Sequence, residues 1–127
     1  LKKPIIGFTR IKEICEMARK YNVYGVLHGG TGLTADDFNQ AIANGARKFN
    51  YATALSDIWF EYFPKALLDK MDAFAKEKGK PRRYILNNFL PEIPKMDNSV
   101  AEKAIEEHMT FMIEKAFLSA GKAGLYQ

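Results

Sequence analysis

The stretch Gly25-Val26-Leu27-His28-Gly29-Gly30-Thr31-Gly32-Leu33 limits what this chain can fold into more than any other. Val23, Tyr24 and Val26 are β-branched or aromatic and Leu27 is apolar, as a buried strand requires, with Gly25 the exception. Gly29, Gly30 and Gly32 free the backbone to turn sharply and leave their N–H groups unshielded. Thr34 followed by Asp37 has the spacing of a capping box, so a helix is expected to begin at once. Strand, glycine loop and helix N-terminus together present backbone N–H groups and a positive dipole end to an anion, usually phosphate. His28 falls at the strand's C-terminal end, where α/β folds carry their chemistry.

The chain on either side reads as alternating helix and strand. Thr9 is placed to cap a helix to about Tyr21, burying Ile11, Ile14, Cys15 and Ala18, and a strand follows over about 23–28. A helix from about Ala35 to Asn44 buries Phe38, Ala41 and Ile42, with Gly45 as its left-handed stop. A second strand over about 48–51 comes so soon afterwards that the crossover should be right-handed and the strands parallel. The turn Ala52-Thr53-Ala54 then lies beside the glycine loop on one edge of the sheet. Helical spacing runs from Ser56 to Lys78, kinked or divided at Pro64 and ended by Gly79. Lys80 to Asn98 form an irregular connection with one short helical turn. Ser99 with Glu102 resembles a second capping box and opens a terminal helix over about 100–119, with Val100, Ala104, Ile105, Met112 and Ala116 on its apolar stripe. Two parallel strands do not make a stable sheet alone. Partner strands are therefore expected from another chain or, as the favoured reading, from upstream sequence, since no initiator methionine opens the chain.

With 127 residues, 47% of them hydrophobic and 27% charged, the chain has the size and composition of one globular domain with a core. The net charge of +4 is spread along it, and only Lys78-Gly79-Lys80-Pro81-Arg82-Arg83 forms a cluster. That cluster reads as a solvated loop rather than a nucleic-acid contact, because aromatic interleaving stops at Tyr84. Cys15 has no partner for an internal disulfide, which favours a reducing, cytoplasmic setting. No apolar run approaches the ~18 residues of a membrane span.

Several chemistries can be tested on the residues alone. A His-Gly-Gly oxyanion loop needs a Gly-x-Ser-x-Gly elbow, and Ser56, Ser99 and Ser119 all lack that setting. A dinucleotide fold lacks its Gly-x-Gly-x-x-Gly spacing and an acidic residue after the second strand. A catalytic zinc wants three protein ligands. Beside His28 only His108 and Cys15 offer themselves, both on helices and far along the chain, so any metal at His28 takes its other ligands from elsewhere.

The combination of Val26-Leu27-His28-Gly29-Gly30-Thr31-Gly32-Leu33, Asp36-Asp37-Phe38, Ala41-Ile42-x-x-Gly45 and Lys48-Phe49-Asn50-Tyr51-Ala52-Thr53 resembles the class II, metal-dependent ketose-bisphosphate aldolases. Phe117 to Ala123 is similar to that family's terminal segment. The resemblance implies the C-terminal part of a (β/α)₈ TIM barrel, its last two βα units plus terminal helices, with residues 1–127 as one partial domain. The strands ending at His28 and near Tyr51 would be the seventh and eighth, whose loops commonly bind phosphate in such barrels. His28 is then expected to be one of three zinc-binding histidines. Gly29 and Thr31 become phosphate contacts from the first loop, and Asn50 touches the dihydroxyacetone phosphate portion. Ala52 and Thr53 close the phosphate site through a backbone N–H and a hydroxyl. A monovalent cation such as Na⁺ or K⁺ is expected near Gly29.

The implied reaction is reversible aldol cleavage of a ketose phosphate, with fructose 1,6-bisphosphate the leading substrate. The metal polarises the ketose carbonyl and a carboxylate elsewhere exchanges the proton. The expected protein is a cytoplasmic homo-oligomer of carbohydrate metabolism that binds neither nucleic acid nor membrane. Ala54 departs from the family's acidic residue after the threonine. The other zinc histidines and the catalytic carboxylates must come from outside the chain. The alternative is a truncated, non-catalytic chain that keeps phosphate binding or serves as an assembly partner.

Overall fold

The computed structural model describes residues 5–93 and 96–122. The architecture is α/β and mostly helical, with a two-stranded parallel sheet. The chain divides into two compact units, one formed by the residues up to Ala52 together with those from Glu107, the other by Thr53–Glu106.

The first unit opens with α1, Phe8–Arg19. Its N-cap is Gly7 and no side chain caps it, so Thr9 lies inside the helix instead of starting it. Of the expected apolar stripe only Cys15 is buried, and Ile14 is exposed. Asn22 takes a left-handed φ of 56°, and β1 follows as Gly25–Leu27, shorter than the 23–28 expected. The stretch from Val23 through β1 is also less buried than its composition suggests: Val23, Tyr24 and Val26 are 54%, 62% and 46% exposed. Its β-branched and aromatic residues describe a surface fit for burial, and the described residues do not cover it.

Gly25 stands in the strand because Cys15 needs the room. A Cβ at Gly25 would run into Cys15 Sγ, and a Cβ at Gly45 would lie 2.8 Å from Cys15 Cβ. Helix α2, Ala35–Ala43, begins with the expected capping box. Asp37 N–H donates to Thr34 Oγ1 (3.2 Å) and Thr34 N–H donates to Asp37 Oδ2 (2.8 Å). Asn44 caps its end and Gly45 turns the chain at φ 104°. β2 is Ala46–Phe49, two residues earlier than 48–51, and pairs parallel with β1. The register runs Gly25 to Ala46, then Val26 to Lys48, which leaves Arg47 as an extra residue in a bulge. Phe38, fully buried, packs with Met112 and Ala116, flanked by Phe49, Tyr51 and Phe117. The rings of Phe49 and Phe117 also meet Phe38 edge to face at 5.2 Å each.

In the second unit α3 spans Thr53–Glu61, so the expected turn at Ala52-Thr53-Ala54 is shorter and Thr53 already belongs to a helix. Pro64 divides the helical stretch, with α4, Lys65–Lys78, starting after it. Gly79 ends α4 in the left-handed region at φ 60°. α5, Arg82–Ile85, and a 3₁₀ turn, Leu86–Phe89, lie within the irregular connection. Phe60, Phe63, Leu67, Met71, Ala75, Ile85, Phe89 and Ile93 form the core of this unit.

The last helix, α6, is Ser99–Phe111 and passes into a π-helical segment, Met112–Ala116, so the α-helix ends well short of residue 119. Leu118 has φ 53°, and Ser119 N–H donates to Ile113 O at 3.0 Å, which stops it. The expected box at Ser99 is replaced by Asp97, whose Oδ1 accepts from Ser99 N–H at 2.9 Å, while Glu102 N–H bonds Asn98 O. Ala123, the end of the resembling terminal segment, lies outside the described residues.

Candidate functional site

The parallel ladder decides which side chains meet. Beyond the last paired residues, Asn50 N–H still donates to Leu27 O at 3.1 Å. His28 and Asn50 therefore leave the two strands side by side, at their C-terminal ends. The Asn50 Nδ2 atom lies 3.1 Å from His28 Nδ1 and 3.3 Å from Nε2, so the amide covers one side of the ring. Both residues are exposed, and the imidazole does not point into the apolar interior.

The glycine loop continues directly from His28. Gly29 and Gly32 have φ values of 78° and 87°, where a side chain is strained. Gly30 is buried by contact: a Cβ there would sit 2.9 Å from Phe38 Cζ and 3.4 Å from Tyr51 Cδ2. No backbone carbonyl among the described residues accepts from the Gly29, Gly30 or Thr31 N–H groups. Thr31 is half-buried and Ala52 exposed. Thr53 is the first residue of α3 and belongs to the second unit.

The helix end contributes less than its position implies. Thr34 and Asp37 occupy each other's capping groups, and Asp36 and Asp37 place negative charge in the first turn of α2. An anion at this edge would be held by loop N–H groups rather than by the dipole of α2.

Among the described residues no three His, Cys, Asp or Glu side chains gather as a metal site. His28 can offer one imidazole nitrogen, and the described residues offer no complete donor set there. The basic run at 78–83 is largely engaged within the second unit. Arg82 forks onto Asp72 at 2.6–2.8 Å, and Lys78 pairs with Glu77 at 2.7 Å. A separate open cavity of about 400 Å³ lies before the strands, between Arg19, Asn22, Val23, Tyr24 and Arg47. Arg47 already donates there to the Ile42 and Ala46 carbonyls.

One contact near the site was not legible in the sequence. Tyr51 Oη lies 2.8 Å from His108 Nε2, and the two rings stack at 5.8 Å. Burial pushes the Tyr51 phenol above its ordinary pKa. The partners are separated by 57 positions, and nothing local in either sequence context announces them.

No solved structure matches the chain. Residues 1–124 match the family model of the class II fructose-bisphosphate aldolases. With a match over nearly its whole length, the chain belongs to the class II fructose-bisphosphate aldolase family.

Proposed function

We propose that this chain supplies one zinc ligand and the phosphate loops of a class II aldolase acting on a ketose phosphate, with fructose 1,6-bisphosphate as substrate and dihydroxyacetone phosphate and glyceraldehyde 3-phosphate as products. The observation that carries this reading is the pairing of His28 with Asn50 at the ends of two parallel strands, beside a loop whose Gly29, Gly30 and Thr31 N–H groups meet no backbone carbonyl among the described residues. His28 gives the metal one imidazole nitrogen. Zinc, when bound, supplies the Lewis acid for the substrate carbonyl. Gly29 and Thr31 bind phosphate from the first loop, and Asn50 orients the three-carbon phosphate portion. Ala52 and Thr53 complete the anion contacts, and a monovalent cation sits near Gly29. Because His28 and Asn50 are exposed, their mutual hydrogen bond is one that substrate and metal can replace.

The remaining ligands and strands come from other polypeptide, and the assembly is the seventh and eighth strands of a (β/α)₈ barrel. The uncovered Val23, Tyr24 and Val26 support this, since a parallel sheet is stable with both faces and both neighbours filled. The assembled enzyme is an oligomer of cytoplasmic carbohydrate metabolism. In it, His28→Ala abolishes aldol cleavage and lowers the zinc content, while Asn50→Ala raises KM for the ketose phosphate. Full cleavage activity and unchanged zinc in the His28 variant overturn the assignment. Phosphate binding without any chelator-sensitive cleavage would instead favour a non-catalytic chain.

A further inference from the structure

Tyr51 joins three parts of the first unit through one side chain. Its ring meets Phe38 and Phe117 edge to face, each at 6.1 Å. Its Cδ2 lies against Gly30, at 3.4 Å from where a Cβ would be. Its hydroxyl reaches His108 on α6 at 2.8 Å, with the rings 17° from parallel. Its backbone follows Asn50 directly. The phenol O–H can donate and an imidazole nitrogen without a proton can accept, so the hydroxyl and Nε2 are placed to share one hydrogen bond.

We propose that Tyr51 and His108 form a positioning pair for the loop edge: their hydrogen bond fixes where Asn50 meets His28 and where the Gly30 backbone stands. Ring packing alone would hold Tyr51 near Phe38, and a phenylalanine would do that equally well. The hydroxyl adds a fixed point, because a ring bonded at its tip can neither slide along Phe38 nor swing about its Cα–Cβ bond out of reach of Nε2. The strand end then inherits that fixed position, one residue before the ring. What the loops bind, a phosphorylated ketose, rests on the function proposed above; the positioning itself does not.

The experiment follows the Asn50 side-chain amide and the His28 ring by NMR in the full chain, and titrates dihydroxyacetone phosphate. Tyr51→Phe shifts both sets of signals although neither residue is altered, and weakens the phosphate ligand about five-fold, the scale of one neutral hydrogen bond. His108→Leu does the same. His108→Gln, whose side-chain carbonyl can accept from the same hydroxyl, keeps the wild-type signals and affinity. Unmoved Asn50 and His28 signals in Tyr51→Phe, or a His108→Gln variant no better than His108→Leu, overturn the positioning role. A lowered melting temperature with unmoved signals also overturns it, since that is stability alone. If the unaltered chain binds no dihydroxyacetone phosphate, the proposed function fails, and the NMR signals still decide whether the pair positions Asn50.

Discussion

The two units of this chain handle their apolar residues differently. In Thr53–Glu106 the aromatic and aliphatic side chains of α3, α4, α5 and the 3₁₀ turn close on one another around Phe60, Phe63, Leu67 and Met71. The other unit buries Phe38, Met112 and Ala116 with smaller residues, and leaves Ile14, Met17, Val23, Tyr24 and Val26 exposed around α1 and β1. It is also the unit that carries His28, Gly29, Thr31, Asn50 and Ala52. A helical unit can complete its core from its own stripes, whereas a short parallel sheet depends on neighbours for both faces. The proposed site residues other than Thr53 therefore stand on the less self-sufficient unit.

Deleting the central side chain of each core tests this contrast most severely. Phe38→Ala should cost about 3–5 kcal/mol and Met71→Ala about 2–5 kcal/mol, both side chains being fully buried. Hydrogen exchange should show the first variant losing protection in α2, β1 and β2 and the second in α4. If either variant unprotects the whole chain equally, the two units are one cooperative body and the contrast fails.

The Cys15 slot sharpens the picture of the weaker unit. Gly25→Ala should destabilise by about 1–3 kcal/mol through overpacking against the thiol. Cys15→Ala should recover most of that loss, because the added Cβ would then meet only ordinary contacts, the Cβ at position 15 at 3.8 Å and Ala46 Cα at 3.9 Å. Gly45→Ala should not be rescued in the same way. There the clash is with Cβ itself, and the φ of 104° strains any side chain. Thermal melts of the single and double variants check both. Equal rescue at the two glycines would mean that the slot is not built as described.

Two stretches that look alike, one in each unit, give a smaller effect. Thr34→Ala removes a reciprocal capping box and should cost about 0.5–2 kcal/mol. Ser99→Ala should change stability by less than about 0.5 kcal/mol, since the Ser99–Glu102 spacing forms no box and Asp97 holds the Ser99 N–H. Comparable losses in the two variants would show that the spacing alone determines the cap.

That pair also marks where the sequence was readable. Features settled by a residue and its immediate chain neighbours were legible: the Thr34–Asp37 box, Gly45, the break at Pro64, and Gly79. The parallel pairing across one short helix was legible too, and it is what leaves His28 and Asn50 side by side at the strand ends. Burial was not. Composition marks β1 as fit for a core without saying whether anything covers it, and the helical stripe at Ile11, Ile14 and Ala18 fails for the same reason. The capping role given to Thr9 failed because Gly7 starts the helix two residues earlier, and Tyr51 with His108 was hidden by their distance along the chain.

The two ends of the pH scale should report on different units. Burial holds the Tyr51 phenol above its ordinary pKa of 10.0, so the folded first unit keeps a proton that the unfolded chain loses. Its contribution is complete below pH 10.0 and falls as pH rises beyond it. Asp97 in the second unit behaves in the opposite sense, held below its ordinary 3.8 by the backbone N–H and the side chain of Ser99. Its contribution is present above pH 3.8 and is lost as acid protonates the folded carboxylate. Asp97 is fully exposed, so the acid effect is the smallest of all and is screened by salt. Tyr51→Phe should flatten only the alkaline limb of the melting-temperature profile, and Asp97→Asn only the acid one. Hydrogen exchange at each extreme should then locate the loss, around β2 in alkali and at the start of α6 in acid. An acid limb unchanged by Asp97→Asn would mean that other carboxylates set the second unit's acid stability.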